Sequence, residues 1–149
     1  MTNLSEHFTL EELTFSEIAL RKGLINIPSP VQIENLKRLA TTALEPARLL
    51  LGVPIHSNSG YRSLTVNSAV GGAPDSAHVD GRADDMVPID VPLRNAFDAL
   101  RTSPIPYDQI IFECQAWIHI AIAPLGKEPR REALTATGHA GAWHYQRVS

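Results

Sequence analysis

Two histidines and a pair of aspartates are the residues of this chain best suited to chemistry. His78, Asp84 and Asp85 fall in the stretch SAHVDGRADD, Ser76 to Asp85, and His119 lies in WIHIAIA, Trp117 to Ala123. Two imidazoles and one carboxylate form a standard ligand set for catalytic zinc, in which three protein donors hold the ion and a fourth position is left for water. Zinc in such a site lowers the pKa of its water to about 7 and polarises a carbonyl, so that amide hydrolysis becomes feasible at neutral pH. Each piece alone has a plainer reading. His78 reads as a loop histidine, the aspartate pair as a solvated turn, and His119 as a hydrogen-bonded residue within an apolar strand. The single cysteine, Cys114, excludes an intramolecular disulfide and any multi-cysteine site, so a metal here needs His and carboxylate ligands.

These residues must be held by elements that the sequence announces in part. FTLEELTFSEIALRKG reads as two short helices, because Thr9 with Glu12 and Thr14 with Glu17 have the capping-box spacing, and Gly23 reads as a stop. In SPVQIENLKRLATTALEPARLLLG, the apolar residues Val31, Ile33, Leu36, Leu39, Leu44 and Leu49 suit one helical face. Ser29 can cap that helix with Pro30 at its first position. Pro46 is expected to kink or divide it. VPIHSNSGYRS predicts a short strand entering a polar turn, and Asn67 to Pro74 a loop, given Gly71, Gly72 and Pro74. VPLRNAFDALRT predicts a further amphipathic helix. YDQIIFECQAWIHIAIA predicts a hairpin turning at Cys114 to Ala116, with Trp117, His119 and Ala121 on one face and Ile118, Ile120 and Ile122 on the other. The polar tail from Gly126 onward carries no clear signal, and His7, His56, His139 and His144 read as structural. Cys114 reads as a buried hairpin residue.

The 149 residues are the size of one domain, 1–149. A hydrophobic content of 44% with 19% charged residues is that of a globular chain. Net charge is −3 and no Lys/Arg stripe is present, so nucleic acid is not an expected partner. No apolar run approaches the roughly 18 residues of a membrane span, and MTNLSEHFTLEEL lacks the features of a signal peptide. The expectation is synthesis in the cytoplasm, with no membrane insertion and no evident protein partner.

The pattern S-x-H-x-x-G-x-A-x-D, present as Ser76, His78, Gly81, Ala83 and Asp85 and followed by W-x-H at Trp117 and His119, resembles the zinc D-alanyl-D-alanine carboxypeptidase family. That family includes murein endopeptidases and phage endolysins. FTLEELTFSEIALRKG, NIPSP at Asn26 to Pro30, SGYRS at Ser59 to Ser63 and VNSAVGG at Val66 to Gly72 also resemble its short phage and bacterial members. The resemblance implies that His78, Asp85 and His119 bind Zn2+, Asp85 rather than Asp84 being the matching acid. It implies that Arg62 holds a substrate carboxylate or polarises the carbonyl, as a planar fork with two donors can, and that Ser76 lines the substrate groove. Gly81 would allow the bend that brings the ligands together, and Ala83 would leave room beside the ion. Gln109, in a YDQI-type segment, would stand behind the site.

One position departs from the pattern. Many relatives carry an acid three residues before the last zinc histidine, where this chain has Ala116. Glu113 is the nearest acid upstream; in the expected hairpin it lies opposite Trp117 and diagonal to His119, about 7 Å away on the same face. The short phage-like members that this chain resembles share such an E…WxH arrangement, so Glu113 is the expected general base. The alternatives are a rim or salt-bridge carboxylate at Glu113, or zinc and Arg62 sufficing while water or another side chain carries the proton. The implied fold is α+β: N-terminal helices packed on a small, mainly antiparallel sheet carrying a zinc site, of the hedgehog/DD-peptidase type. The implied activity is hydrolysis of peptide bonds in peptidoglycan peptides at the cell wall, as a carboxypeptidase, a murein endopeptidase or a phage endolysin. The competing expectation is a catalytically inactive zinc-containing peptidoglycan-binding module or a virion structural module.

Overall fold

The computed structural model describes residues 1–139 and 142–149. Helices α1 (Leu10–Thr14) and α2 (Glu17–Lys22) open the chain. Thr9 caps α1 as its spacing predicts, accepting from the Glu12 amide. The α2 cap is Ser16 rather than Thr14: Ser16 accepts from the Ala19 amide, while the Thr14 hydroxyl donates back to the Leu10 carbonyl inside α1. Gly23 ends α2 in the left-handed region, φ +66°, where an L side chain is strained.

Helix α3 (Pro30–Leu39) starts from a complete Ser29–Gln32 capping box with Pro30 inside the first turn. It runs through a π-helical turn, Ala40–Leu44, into α4 (Glu45–Leu51). Pro46 thus falls in the first turn of α4, and the wider turn before it absorbs the missing N–H without interrupting the helical path. Leu36, Leu39, Ala40, Ala43, Leu44 and Ala47 are buried. Val31 and Leu49, expected on the same face, are 72% and 85% exposed: Leu49 follows the π turn, which rotates it off the stripe, and Val31 lies in the first turn of α3.

Strand β1 (Ile55–Ser59) is followed by α5 (Leu64–Ala69), capped by Ser63. The loop expected from Asn67 therefore begins only after this helix: a single turn sealed by a cap needs no apolar periodicity to form. Strand β2 (Ala83–Pro88) contains the aspartate pair, so that pair is not a solvated turn. Helix α6 (Leu93–Arg101), then the hairpin of β3 (Gln109–Glu113) and β4 (Trp117–Ala121), follow as the periodicity predicts. The polar tail holds two more strands, β5 (Glu132–Thr137) and β6 (His144–Arg147). His56 is exposed, and Cys114 is only half-buried, at positive φ in the hairpin turn.

The six strands form one sheet in the order β1-β2-β4-β3-β5-β6. Every neighbouring pair is antiparallel except β3–β5, so the sheet is mixed. The architecture is α+β. Met86, Ile110, Ile118 and Ile120 point to one face, where they form the core with Leu36, Leu39, Leu44, Phe97 and Leu100 of the helices. The other face is left to Asp85, His119, Ile111 and Glu113.

Gly81 sits at the join between the helix layer and the site. Its φ is +76°, and an added Cβ would lie 2.7 Å from the Gln32 carbonyl oxygen of α3. Its smallness is thus required by packing on α3, not by the ligand site itself. Gly81→Ala is expected to destabilise the fold by about 2–4 kcal/mol, from left-handed strain plus overpacking; a denaturant titration showing less than about 1 kcal/mol would contradict this account.

Candidate metal centre and its groove

Asp85 and His119 meet because they are direct cross-strand partners in the β2–β4 pair, an arrangement that holds Cβ atoms about 4.5–5.5 Å apart. His78 arrives from the turn before β2. Its Nδ1 lies 2.8 Å from the Gly60 carbonyl oxygen, which can only accept, so Nδ1 carries the proton and Nε2 turns its lone pair toward the site. Ser76 contributes at the backbone: its hydroxyl accepts from the His78 amide at 3.2 Å.

The three donor atoms converge. His78 Nε2 lies 3.2 Å from Asp85 Oδ1 and 3.2 Å from His119 Nδ1, and His119 Nδ1 lies 3.1 Å from Asp85 Oδ1. All three residues are buried. An ion bonding N and O at about 2.0–2.1 Å in a tetrahedron requires ligand atoms about 3.3 Å apart. The observed separations fit that edge.

Electrostatics favour the deprotonated forms that a metal requires. Burial holds the His78 pKa below its ordinary value, with the charges of Arg62 and His119 acting in the same direction. Burial works against ionisation of Asp85, but positive charge and N–H bonds from the histidine pair, available when the pair carries an extra proton, outweigh it and keep that carboxyl far below the usual range; a bound cation would supply the same positive charge. The second oxygen of Asp85 is taken: Arg62 Nη2 donates to Oδ2 at 3.0 Å. Oδ1 is thereby left facing the histidines.

Arg62 is itself positioned by two residues that inspection of the sequence did not single out. Its Nε donates to Ser59 Oγ at 2.9 Å and its Nη1 to Asn67 Oδ1 at 3.4 Å. Asn67 is 2% exposed and donates to the Ala73 carbonyl. Gly72 reveals this link, since a Cβ there would lie 2.1 Å from Asn67 Oδ1.

Asp84 points the opposite way, into the helix layer, as the strand pleat demands. It is fully buried, accepts from the Ser57 hydroxyl through Oδ1 and has no partner for Oδ2. Burial lifts its pKa well above the ordinary value, with the charges of Asp85 and Glu12 adding to the effect. The folded chain therefore keeps this proton, whereas the unfolded chain releases it near pH 4, at about the ordinary aspartate value. Stability from this site is intact below about pH 4 and declines as pH rises toward the folded value. Asp84→Asn removes the decline, so its melting temperature relative to wild type should rise between pH 4 and pH 8. Thermal melts of chelated protein check this, and a relative loss in the variant over that range would contradict it.

The family model for peptidase M15 matches residues 6–121. The chain belongs to the peptidase M15 family. A comparison with curated proteins found no match. Peptidases of this family are metal-dependent, and the His78–Asp85–His119 cluster is where this M15 chain can hold an ion. Among the described residues, no helix is long and apolar enough to cross a membrane.

The cluster of this M15 peptidase lies in the floor of a cavity of about 1110 Å³, also lined by Arg62, Ser76, Glu113 and Trp117. Glu113 pairs with Trp117 across the β3–β4 hairpin, which puts it diagonal to His119. It is half-buried. Burial first, and the Asp85 carboxylate second, raise its pKa. Gln109 also lines the cavity, but its amide donates to Glu132 at 2.7 Å, tying β3 to β5.

Proposed function

We propose that this chain is a zinc-dependent peptidase that hydrolyses peptide bonds of peptidoglycan, built on a hedgehog/DD-peptidase-like scaffold. The convergence of the His78, Asp85 and His119 donor atoms at 3.1–3.2 Å in the floor of a large groove supports the reading. Zinc in that position would act as a Lewis acid on the substrate carbonyl and acidify water.

The remaining work belongs to the chain's own groups. Glu113 stands within the groove as a carboxylate of raised proton affinity, suited to take a proton during attack and return it to the leaving amine. Arg62 holds Asp85 in register and has five N–H donors, of which three are engaged by Ser59, Asn67 and Asp85. The other two can meet a substrate carbonyl or carboxylate. Ser76 lines the groove and supports the His78 backbone. The enzyme would act at the cell wall as a carboxypeptidase or endopeptidase, and the endolysin of a phage is one such role.

The deciding experiment is mass spectrometry of the muropeptides released from purified sacculi by zinc-loaded protein, beside His78→Ala and a chelated sample. Loss of one D-alanine, or cleavage of one stem or crosslink bond, that vanishes in both controls is the expected result. No change on sacculi of several wall chemotypes, with stoichiometric zinc bound, would overturn the enzyme and leave a zinc-containing wall-binding module.

A further inference from the structure

The family match ends at residue 121, yet the groove does not. Trp143 and Tyr145, on and just before β6, line the same cavity as Glu113 and Trp117. The register explains how Tyr145 reaches it, and Trp143 lies two residues before Tyr145 in the chain. Trp117 pairs with Glu113, Glu113 with Ala136, and Ala136 with Tyr145, so the four form a row across β4, β3, β5 and β6 on the face that carries His119.

We propose that Trp143 and Tyr145 form a substrate-binding wall, supplied by the chain beyond the family-matched stretch, which holds the part of an extended peptide lying on the Glu113 side of the metal cluster. This rests on the peptidase reading above. Three strand spacings separate β4 from β6, roughly 14 Å, enough for about four residues of extended peptide. The small side chain at Ala136 leaves the space between Glu113 and Tyr145 to larger neighbours, and Ala136 is nonetheless 2% exposed. Tyr145 itself is 55% exposed, so much of a large aromatic ring stands open beside the groove. Burial raises the pKa of its phenol, and the Glu113 charge adds to the effect. Aromatic rings of this kind offer broad contact area at low entropic cost.

The wall is anchored firmly. Arg130 pairs with Asp108 at 2.9 Å and Arg131 donates to the carbonyls of Ile105 and Ser103, which bind the start of β5 to the loop before β3. Arg101 of α6 donates to the Ser149 carbonyl at the far end.

The test uses the full chain loaded with zinc, with a soluble stem pentapeptide, its crosslinked dimer and the D-alanyl-D-alanine dipeptide as probes. Calorimetric Kd and steady-state KM and kcat are measured for each. Tyr145→Ala and Trp143→Ala are each expected to raise Kd and KM for the longer probes about tenfold, the loss of one aromatic contact. The effect should fall on KM and Kd rather than on kcat. Tyr145→Phe, which keeps the ring, should recover most of the loss. Gln146→Ala, the next residue of β6 with its side chain on the other face, should behave as wild type. Unchanged Kd and KM in both alanine variants, or a fall in kcat at constant KM, would overturn the proposal. Wild type that binds the longer probes without cleaving them would defeat the peptidase reading alone, and the Kd values of the variants would still decide this one. Wild type that binds none of them would overturn both.

Discussion

Replacement of His78 by alanine is expected to lower zinc affinity more than 100-fold and to bring turnover on wall peptides below detection. The 100-fold bound is conservative, since loss of a mere outer partner of a metal ligand already costs about 10–100-fold. The reason lies in the geometry. His78 Nε2 is one vertex of a three-atom cluster, and its Nδ1–H is already committed to Gly60. Removing the ring leaves Asp85 and His119 as two ligands and takes from the buried Asp85 carboxylate one of the two imidazoles beside its Oδ1. A readout apart from activity is available. Zinc at 100 times its Kd should stabilise wild type by about 2.7 kcal/mol, on the order of 5–10 °C in melting temperature for a chain of this size. His78→Ala should show no such shift and should retain little metal after dialysis. Stoichiometric zinc in the variant, or no zinc-dependent shift in wild type, would show that the cluster is not the metal site.

Glu113→Gln should lower kcat by about 10²–10⁴, the usual worth of a positioned general base, while zinc content and melting temperature stay near wild type. The substitution keeps size and removes only the ability to take a proton. The pH dependence follows from the direction of the shift. Burial and the Asp85 carboxylate raise the Glu113 pKa, and Glu113 must be ionised to act as base. Activity should therefore fall as pH drops, along a limb centred above the ordinary glutamate value of about 4.3. In Glu113→Gln that limb should disappear from the residual rate. A full rate in the variant would assign the proton transfer elsewhere and reduce Glu113 to a groove carboxylate.

The elements legible in the sequence are those whose stabilisation is local. Ser29, Pro30 and Gln32 state the start of α3 within four residues, and the alternation of WIHIA states both faces of β4. The hairpin turn at Cys114 to Ala116 fixes the register that sets Glu113 opposite Trp117, which is why the position of Glu113 diagonal to His119 could be read from the sequence. Strand β2 was obscure because its partners lie far away in sequence and because two acidic residues mimic a turn. Strand β5 was obscure for a related reason: it joins β3 in parallel across a long connection, and GKEPRREALTATGH carries no two-residue hairpin signal. Arg62 reads as a free substrate-binding cation until its ties to Asp85, Ser59 and Asn67 are seen.

By itself the sequence determined the donor types, their order along the chain, the caps of α1 and α3 and the periodicity of the central hairpin, because each depends on neighbours a few residues apart. Only the tertiary structure decided that three of those donors stand 3.1–3.2 Å apart, that Asp85 faces the groove while Asp84 faces the core, and that Trp143 and Tyr145 line the groove. Those outcomes depend on which strands pair and in what register. A shift of one residue would exchange the two aspartates between the faces of the sheet, and only long-range pairing and the burial of the helix layer hold that register.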